Sequence, residues 1–249
     1  MPSLDPSFLT MSLTHRALHD PAKGLLENSA GAIRAAIDAG YGIEIDVQLS
    51  ADGKAMVFHD PKLDRLTGQT GWVGDHSAAE LGQITLNHMS EGIPTFAEVL
   101  KIVEGRVPLL VELKDQTEVP GGTLGPLEEA VARDVARYAG PIALMSFAPE
   151  MVANLAGLCP DVARGLTGQT DPEDWSTPEN NAGHNGYDMF DDVGAAFISH
   201  RWQDLQDPSV GALKSRGVPI LCWTVKSEAD EVEARRVADN ITFEGFLAA

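Results

Sequence analysis

Two apolar segments carry charged side chains at alternating positions, which could do chemistry if the segments are strands. From Ile43 to Val47 the residues alternate strictly, so Glu44 and Asp46 share one face of an extended strand. Glu112 and Lys114 alternate in the same way in a second segment. Carboxylates that point the same way repel unless a cation neutralises them or one of them is protonated. Three such oxygen donors suit a hard cation, Mg²⁺ or Ca²⁺, far better than zinc.

Two histidines lie beside these carboxylates in the chain. His15 ends the first predicted strand and is followed by Arg16, and His59 ends a short return strand after Asp46. Imidazole is the side chain best able to exchange protons near neutral pH. Together with a metal ion and an arginine, two imidazoles form a complete set for phosphoryl transfer. One removes a proton from the nucleophile, the other protonates the leaving oxygen, and the cations hold the remaining oxygens.

The elements that must position these residues follow a regular alternation. Short β-type runs alternate with segments of helical periodicity along most of the chain. The predicted strands begin at Met11, Tyr41, Pro108, Ile142, Val162, Ala195, Val218 and Asp239. Eight strands with intervening helices in 249 residues fit an α/β fold of the (β/α)8 TIM barrel type. No Gly-x-Gly-x-x-Gly follows any strand, so a dinucleotide-binding open sheet has no support.

A turn at Asp52-Gly53 and a return strand over Ala55–Phe58 predict a short β-hairpin insertion after the second barrel strand. If both acidic strands belong to one barrel, Glu44, Asp46 and Glu112 converge at the mouth formed by the carboxyl ends of the strands. The alternative is a half-exposed antiparallel sheet whose acidic face is solvated.

Several further residues are weaker candidates. Segment Thr167–Asp192 lacks apolar periodicity and predicts a long loop of the kind that is often functional. His200 and Arg201 follow the sixth predicted strand and could face the mouth. Trp72 could line the mouth or simply anchor its loop. The remaining histidines have no such neighbours and are predicted on the surface or in loops: His19, His76, His88 and His184.

Composition excludes some partners. With 37 acidic and 18 basic residues, the formal charge of −19 argues against nucleic acid or an anionic membrane as the main partner. Two cysteines are too few for a disulfide framework. No run approaches the roughly 18 apolar residues that a membrane span needs, and no signal peptide is visible at the N-terminus. The sequence therefore predicts a cytoplasmic protein that forms one domain over residues 1–249 and has no stable membrane association.

An ordered set of short motifs resembles the glycerophosphodiester phosphodiesterase family. In chain order the matching blocks are His15-Arg16, Glu27-Asn28-Ser29, Glu44-Ile45-Asp46-Val47, Asp52-Gly53, His59-Asp60, Leu63-Asp64-Arg65, Ile93-Pro94-Thr95-Phe96, Val111-Glu112-Leu113-Lys114, Trp223-Thr224-Val225 and Ala238-Asp239-Asn240-Ile241-Thr242. Each block alone is weak evidence for this family, but the ordered set is strong evidence. Ala17 departs from the usual glycine, which predicts a slightly displaced loop, and Lys226 departs from the usual asparagine.

The resemblance implies a metal-dependent barrel that hydrolyses glycerophosphodiesters to an alcohol and sn-glycerol 3-phosphate. The roles that it implies are Glu44, Asp46 and Glu112 as ligands of a divalent cation (Mg²⁺ or Ca²⁺), His15 and His59 as the acid–base pair, Arg16 and Lys114 as phosphate-binding residues, and Trp223 packed against the glycerol carbons. Its implied partner is a small-molecule substrate.

The motifs leave some alternatives open. The substrate could be a lysophospholipid, as in a lysophospholipase D, or a phosphorylated sugar ester. The nucleophile could be water or a glycerol hydroxyl that forms a cyclic phosphate. A noncatalytic binding protein on the same scaffold is a further alternative, but such a protein has no need of two histidines and three carboxylates together.

Overall fold

The computed structural model describes residues 2–87, 89–170 and 187–249. The strands of these residues are, in chain order, β1 (Leu13–Thr14), β2 (Gly42–Leu49), β3 (Ala55–Val57), β4 (Leu109–Leu113), β5 (Ile142–Ser146), β6 (Ala163–Gly168), β7 (Phe197–Arg201), β8 (Ile220–Val225) and β9 (Asn240–Phe243). β1 pairs in parallel with both β2 and β9, which closes the sheet, and of the strands in the described ranges only β3 is antiparallel. The predicted (β/α)8 barrel is therefore confirmed. Each strand begins no more than two residues after its predicted start, as at Leu13 compared with Met11.

The helices of the described residues are α1 (Ser7–Thr10), α2 (Ala30–Ala39), α3 (Ala78–Leu81), α4 (Phe96–Val103), α5 (Pro126–Val135), α6 (Pro149–Leu158), α7 (Pro208–Ser215) and α8 (Glu228–Ala234). Local sequence sets their ends. The Ser29 hydroxyl accepts a hydrogen bond from the amide of Ala32 at the start of α2, and Gly40 ends that helix with a φ of 77°. Thr95 and Glu98 form a reciprocal capping box at α4.

Side chains that alternate along the strands divide the core into two layers. Inward-facing residues such as Leu110, Met145, Phe197 and Leu221 fill the barrel together with Phe8 of α1. Outward-facing residues of the same strands pack beneath the surrounding helices. Both faces of a barrel strand are thus buried, as expected for parallel strands covered by helices. The alternative of a half-exposed antiparallel sheet is wrong.

The insertion after β2 is larger than the short hairpin that the sequence predicted. β3 pairs with β2 as expected, but the chain continues to residue 95 before α4 begins. This insertion contains an apolar cluster of its own, which includes Phe58, Leu63, Leu81 and Ile93. Its apolar residues follow no simple period, so the sequence pattern gave little indication of the cluster. Trp72 anchors this region, because its ring lies 4.7 Å from Lys62 Nζ.

The remaining loop predictions are tested only in part. β6 extends to Gly168, so the segment predicted as a loop from Thr167 begins inside a strand. Residues 171–186 of that segment, with His184, lie outside the described residues, as does His88. Among the described residues, none of the helices is both long and apolar enough to span a membrane.

Candidate active site

The three predicted acidic ligands lie together at the carboxyl ends of β2 and β4. Parallel pairing places Asp46 directly beside Glu112 and Glu44 one inward-facing position below. One carboxylate oxygen from each of the three lies within 4.8 Å of the others. Glu44 and Asp46 are almost completely buried, with exposed fractions of 2% and 1%. Only hard oxygen donors are present in this cluster, which is the donor set that Mg²⁺ and Ca²⁺ prefer.

Lys114 partly neutralises this cluster. Its Nζ lies 2.8 Å from Asp46 Oδ1 and also contacts the carboxylate of Glu112. Burial opposes the charge on Lys114, but the two carboxylates outweigh it and raise the pKa of the ammonium. For Asp46, burial is likewise outweighed by Lys114, His59 and Arg16, which hold its pKa well below the usual range. Glu44 differs, since burial and the charges of Asp46 and Glu112 raise its pKa well above the usual range.

Arg16 follows β1 and turns back over the acidic cluster. Its backbone amide donates to Glu44 Oε2 at 2.9 Å, and its guanidinium lies 3.6 Å from Asp46 and 2.8 Å from Glu27. Arg16 and Ala17 have φ values of 52° and 65°, a left-handed conformation that glycine adopts most easily. Ala17 thus takes up this conformation itself, and its amide donates to the Glu44 carbonyl at 3.0 Å.

Asn28 fixes the orientation of Asp46, and sequence reasoning gave it no role. Its Nδ2 donates to Asp46 Oδ2 at 2.9 Å, while the amide of Asp46 donates to Asn28 Oδ1 at 3.2 Å. Asn28 is itself buried, with a left-handed φ of 58°. Asparagine tolerates that conformation better than most residues. The one signal for it in the sequence was the Glu27-Asn28-Ser29 motif.

A series of ion pairs begins at Nδ1 of His59 and orients its ring. Its Nδ1 lies 2.7 Å from Asp60 Oδ1, and the Arg65 guanidinium binds Asp60 at 2.7 Å and Glu27 at 2.7 Å. Burial of Asp60 is outweighed by His59 and Arg65, which hold the pKa of this carboxyl well below its usual range. Because Glu27 also binds Arg16, this network links His59 to the arginine above the acidic cluster.

His15 is held by a carboxylate from the other end of the chain. Its Nδ1 lies 2.6 Å from Glu244 Oε2, just after β9. The second oxygen of Glu244 lies 2.7 Å from Lys226 Nζ, and His19 Nε2 is 3.5 Å from Oε2. His19, predicted on the surface or in a loop, lies in the loop after β1, and its side chain is only 19% exposed. Neither Glu244 nor its link to Lys226 was foreseen.

A cavity of about 200 Å³ gathers these groups. All eight predicted site residues line it: His15, Arg16, Glu44, Asp46, His59, Glu112, Lys114 and Trp223. Phe147, which follows β5, also lines the cavity, and its ring meets that of Trp223 edge-to-face at 5.6 Å. A larger groove of about 840 Å³ lies between α4 and α5, and none of the predicted site residues lines it. The smaller cavity is therefore the candidate active site.

The weaker candidates His200 and Arg201 do not line this cavity. His200 is buried, with Nδ1 2.5 Å from the Tyr187 hydroxyl and Nε2 3.1 Å from the Thr170 hydroxyl. Burial lowers the pKa of His200 to about 4, so the ring is neutral at physiological pH. Arg201 forms an ion pair with Asp204 at 2.6 Å. The contacts of His200 are those of a structural histidine.

Comparison with known proteins places the chain among phosphodiesterases. The model of the glycerophosphoryl diester phosphodiesterase family matches residues 15–241. A glycerophosphodiester phosphodiesterase of Caldanaerobacter subterraneus is 26% identical over 235 residues, which cover 89% of this chain and 88% of the relative. One of Bacillus subtilis is 25% identical over 219 residues, covering 76% and 68%.

Solved structures show the same fold. An Oleispira antarctica phosphodiesterase in complex with the product sn-glycerol-3-phosphate has a TM-score of 0.78 at 21% identity, with 96% of this chain and 94% of that chain covered. A glycerophosphodiester phosphodiesterase from Thermotoga maritima has a TM-score of 0.70 at 24% identity, with 93% and 92% covered.

Proposed function

We propose, from the premise that this chain belongs to the glycerophosphoryl diester phosphodiesterase family, that it hydrolyses glycerophosphodiesters to an alcohol and sn-glycerol 3-phosphate as a single catalytic domain. Family membership makes the protein a phosphodiesterase. The Oleispira relative was solved with sn-glycerol 3-phosphate as its product, which supports the same product here. The fold alone would not carry this proposal, because TIM barrels host many chemistries.

The observation that carries the proposal is the convergence of two imidazoles, three carboxylates and two cationic side chains on one cavity. These groups come from strands far apart in the sequence and meet at the carboxyl ends of the barrel strands, where barrel enzymes place their active sites. A noncatalytic binding protein would gain nothing from burying Glu44, Asp46 and Glu112 against one another.

The acidic cluster fits a divalent cation. Glu44, Asp46 and Glu112 would hold Mg²⁺ or Ca²⁺, and the pKa of Glu44 is raised by burial and by the charges of Asp46 and Glu112. A bound cation supplies charge stabilisation to the phosphoryl oxygens. Asn28 keeps Asp46 oriented for this role through its two hydrogen bonds.

Arg16 and Lys114 bind the phosphate group in this proposal. Arg16 Nε is buried 3.6 Å from Asp46 Oδ2 and makes no hydrogen bond within the described residues, and the positive charge of this guanidinium at the cavity wall supports its role in phosphate binding. Trp223 donates its indole N–H to the Ser199 carbonyl at 3.1 Å, which fixes the ring in the cavity wall. The ring packs against the glycerol carbons.

His15 and His59 exchange the protons of the reaction. Both present Nδ1 to a carboxylate, which leaves Nε2 of each ring for substrate. One ring deprotonates the nucleophile and the other protonates the leaving alcohol oxygen. Water and a glycerol hydroxyl are both possible nucleophiles, and ³¹P NMR of the reaction separates the two routes, since only the second forms a cyclic phosphate.

The test is a substrate panel with Mg²⁺ or Ca²⁺ present. Release of sn-glycerol 3-phosphate from glycerophosphocholine, glycerophosphoethanolamine and glycerophosphoinositol is followed with a coupled dehydrogenase. We expect turnover that is lost in His59→Ala and retained in His76→Ala, a histidine outside the cavity. Hydrolysis of lysophosphatidylcholine or a phosphorylated sugar ester without release of glycerol 3-phosphate from any diester would contradict the proposal.

A further inference from the structure

We propose that Glu244 is a positioning residue that keeps the proton of His15 on Nδ1, so that Nε2 is the atom that exchanges protons with substrate. This inference rests on the proposed function, which makes His15 part of the acid–base pair. Glu244 lies three residues beyond the end of the family match at residue 241, so the resemblance assigns it no role.

The distance and charge of Glu244 decide where the proton lies. Glu244 Oε2 is 2.6 Å from His15 Nδ1, within the range of a charge-assisted hydrogen bond. The hydrogen bond from His15 and the proximity of His19 and Lys226 hold the pKa of Glu244 well below its usual range, so the carboxylate is ionised. An ionised carboxylate only accepts hydrogen bonds, and therefore Nδ1 must be the donor.

Glu244 is itself fixed in place. Its backbone amide donates to the Val225 carbonyl at 3.0 Å, which ties it to the end of β8. Lys226 Nζ lies 2.7 Å from Oε1, so the other oxygen remains directed at the imidazole. On the opposite side, the amide of His15 donates to the Phe243 carbonyl at 2.8 Å. Backbone bonds thus hold both partners of the Glu244–His15 contact.

The two imidazoles of the cavity obtain their orienting carboxylates in different ways. His59 uses Asp60, its immediate neighbour, whereas His15 uses a residue 229 positions away. In each pair a cation also binds the carboxylate: Arg65 binds Asp60, and Lys226 binds Glu244. Each catalytic imidazole thus binds a carboxylate that is itself bound by a cation. Unrelated segments of the chain form the two arrangements.

The test combines a spectrum with kinetics. In ¹⁵N-histidine-labelled protein at pH 8, a long-range ¹H–¹⁵N spectrum should show His15 protonated at Nδ1, with the signal assigned by its loss in His15→Gln. Glu244→Gln should lose this tautomer and reduce kcat about 10–100-fold, the usual effect of removing such a partner, with KM little changed. Glu244→Asp should recover part of the activity, and Glu228→Gln, an exposed acid on α8, should behave as wild type.

An unchanged tautomer or an unchanged kcat in Glu244→Gln would overturn the inference. If that variant fails to fold, the wild-type spectrum still tests the bond, because a neutral His15 protonated at Nε2 instead of Nδ1 would overturn the inference. Failure of the proposed function looks different. In that case wild type itself releases no sn-glycerol 3-phosphate from glycerophosphodiesters, while its spectrum still reports whether Glu244 holds the Nδ1 proton.

Discussion

Binding of a divalent cation to the acidic cluster should release about one proton, and Glu44 is the group that we expect to lose it. Its carboxyl is buried beside Asp46 and Glu112, and these surroundings raise its pKa well above the usual range. Asp46, in contrast, stays ionised because Lys114, His59 and Arg16 surround it. A bound cation would favour the ionised form of Glu44, because metal ligands must be deprotonated.

Charge counting around Glu44 gives the size of the effect. At an effective dielectric constant of about 20, two carboxylates no more than 4.8 Å apart repel by at least about 3 kcal/mol. The ammonium of Lys114 and the guanidinium of Arg16 offset part of this repulsion, and burial, the largest cause of the raised pKa, adds to what remains. The free protein therefore binds a proton that the cation-bound protein does not. Cation affinity rises with pH, about tenfold per pH unit, until the pH passes the raised pKa of Glu44.

Isothermal titration calorimetry measures this linkage directly. Titration of Mg²⁺ or Ca²⁺ at pH 6 and pH 7, in two buffers of different ionisation enthalpy, gives the number of protons released. Wild type should release protons as it binds the ion, and Glu44→Gln should bind the ion more weakly, with less release and a smaller change of Kd with pH. Zero release from wild type, or the same release from Glu44→Gln, would refute the reasoning about this carboxyl.

Three further predictions follow from the same contacts. In steady-state assays on glycerophosphocholine, His15→Ala and His59→Ala should each lower kcat by at least about 10²-fold. The loss of kcat in the double variant should be far smaller than the product of the two single losses. A near-normal kcat in either single variant would contradict the acid–base assignment. Because burial lowers the pKa of His200 to about 4, its stabilising contribution is complete above pH 6.5 and is lost as the pH falls from there through 4. Urea unfolding should therefore show a loss of stability between pH 7.5 and pH 5 that is about 2 kcal/mol smaller in His200→Gln than in wild type or His76→Gln, and an unchanged loss in His200→Gln would disprove this role. Because the formal charge is −19, added salt should raise kcat/KM for an anionic glycerophosphodiester or leave it nearly constant. For the same reason glycerophosphocholine in solution should be hydrolysed faster than lysophospholipid in vesicles. A steep loss of kcat/KM with salt, or faster hydrolysis in vesicles, would count against a small soluble substrate.

The barrel and the cavity residues could be predicted because their signals are local. Strict alternation around Glu44 and Asp46 marks a strand with one acidic face, and parallel pairing then brings Glu112 beside them. The capping residues Ser29 and Thr95 likewise act within one helical turn. Signals of this kind need no knowledge of the tertiary fold.

The supporting contacts could not be predicted, because they join residues distant in sequence. Asn28 and Asp46 are 18 positions apart, and His15 and Glu244 are 229 apart. No periodicity marks Glu244 as the partner of a histidine at the other end of the chain. The same holds for the contact of His19 with Glu244, which forms only once the barrel closes.

The most direct test of the central claim is release of sn-glycerol 3-phosphate from glycerophosphocholine by chelator-treated protein, before and after Mg²⁺ or Ca²⁺ is added back. We expect no turnover in excess chelator, full recovery with one of the two ions, and a much higher ion requirement in Asp46→Asn, which keeps the size of the side chain but removes its charge. Glu80→Gln, which changes an exposed acid of α3 outside the cavity, should follow wild type. Full activity in excess chelator would contradict a metal-dependent phosphodiesterase built on Glu44, Asp46 and Glu112.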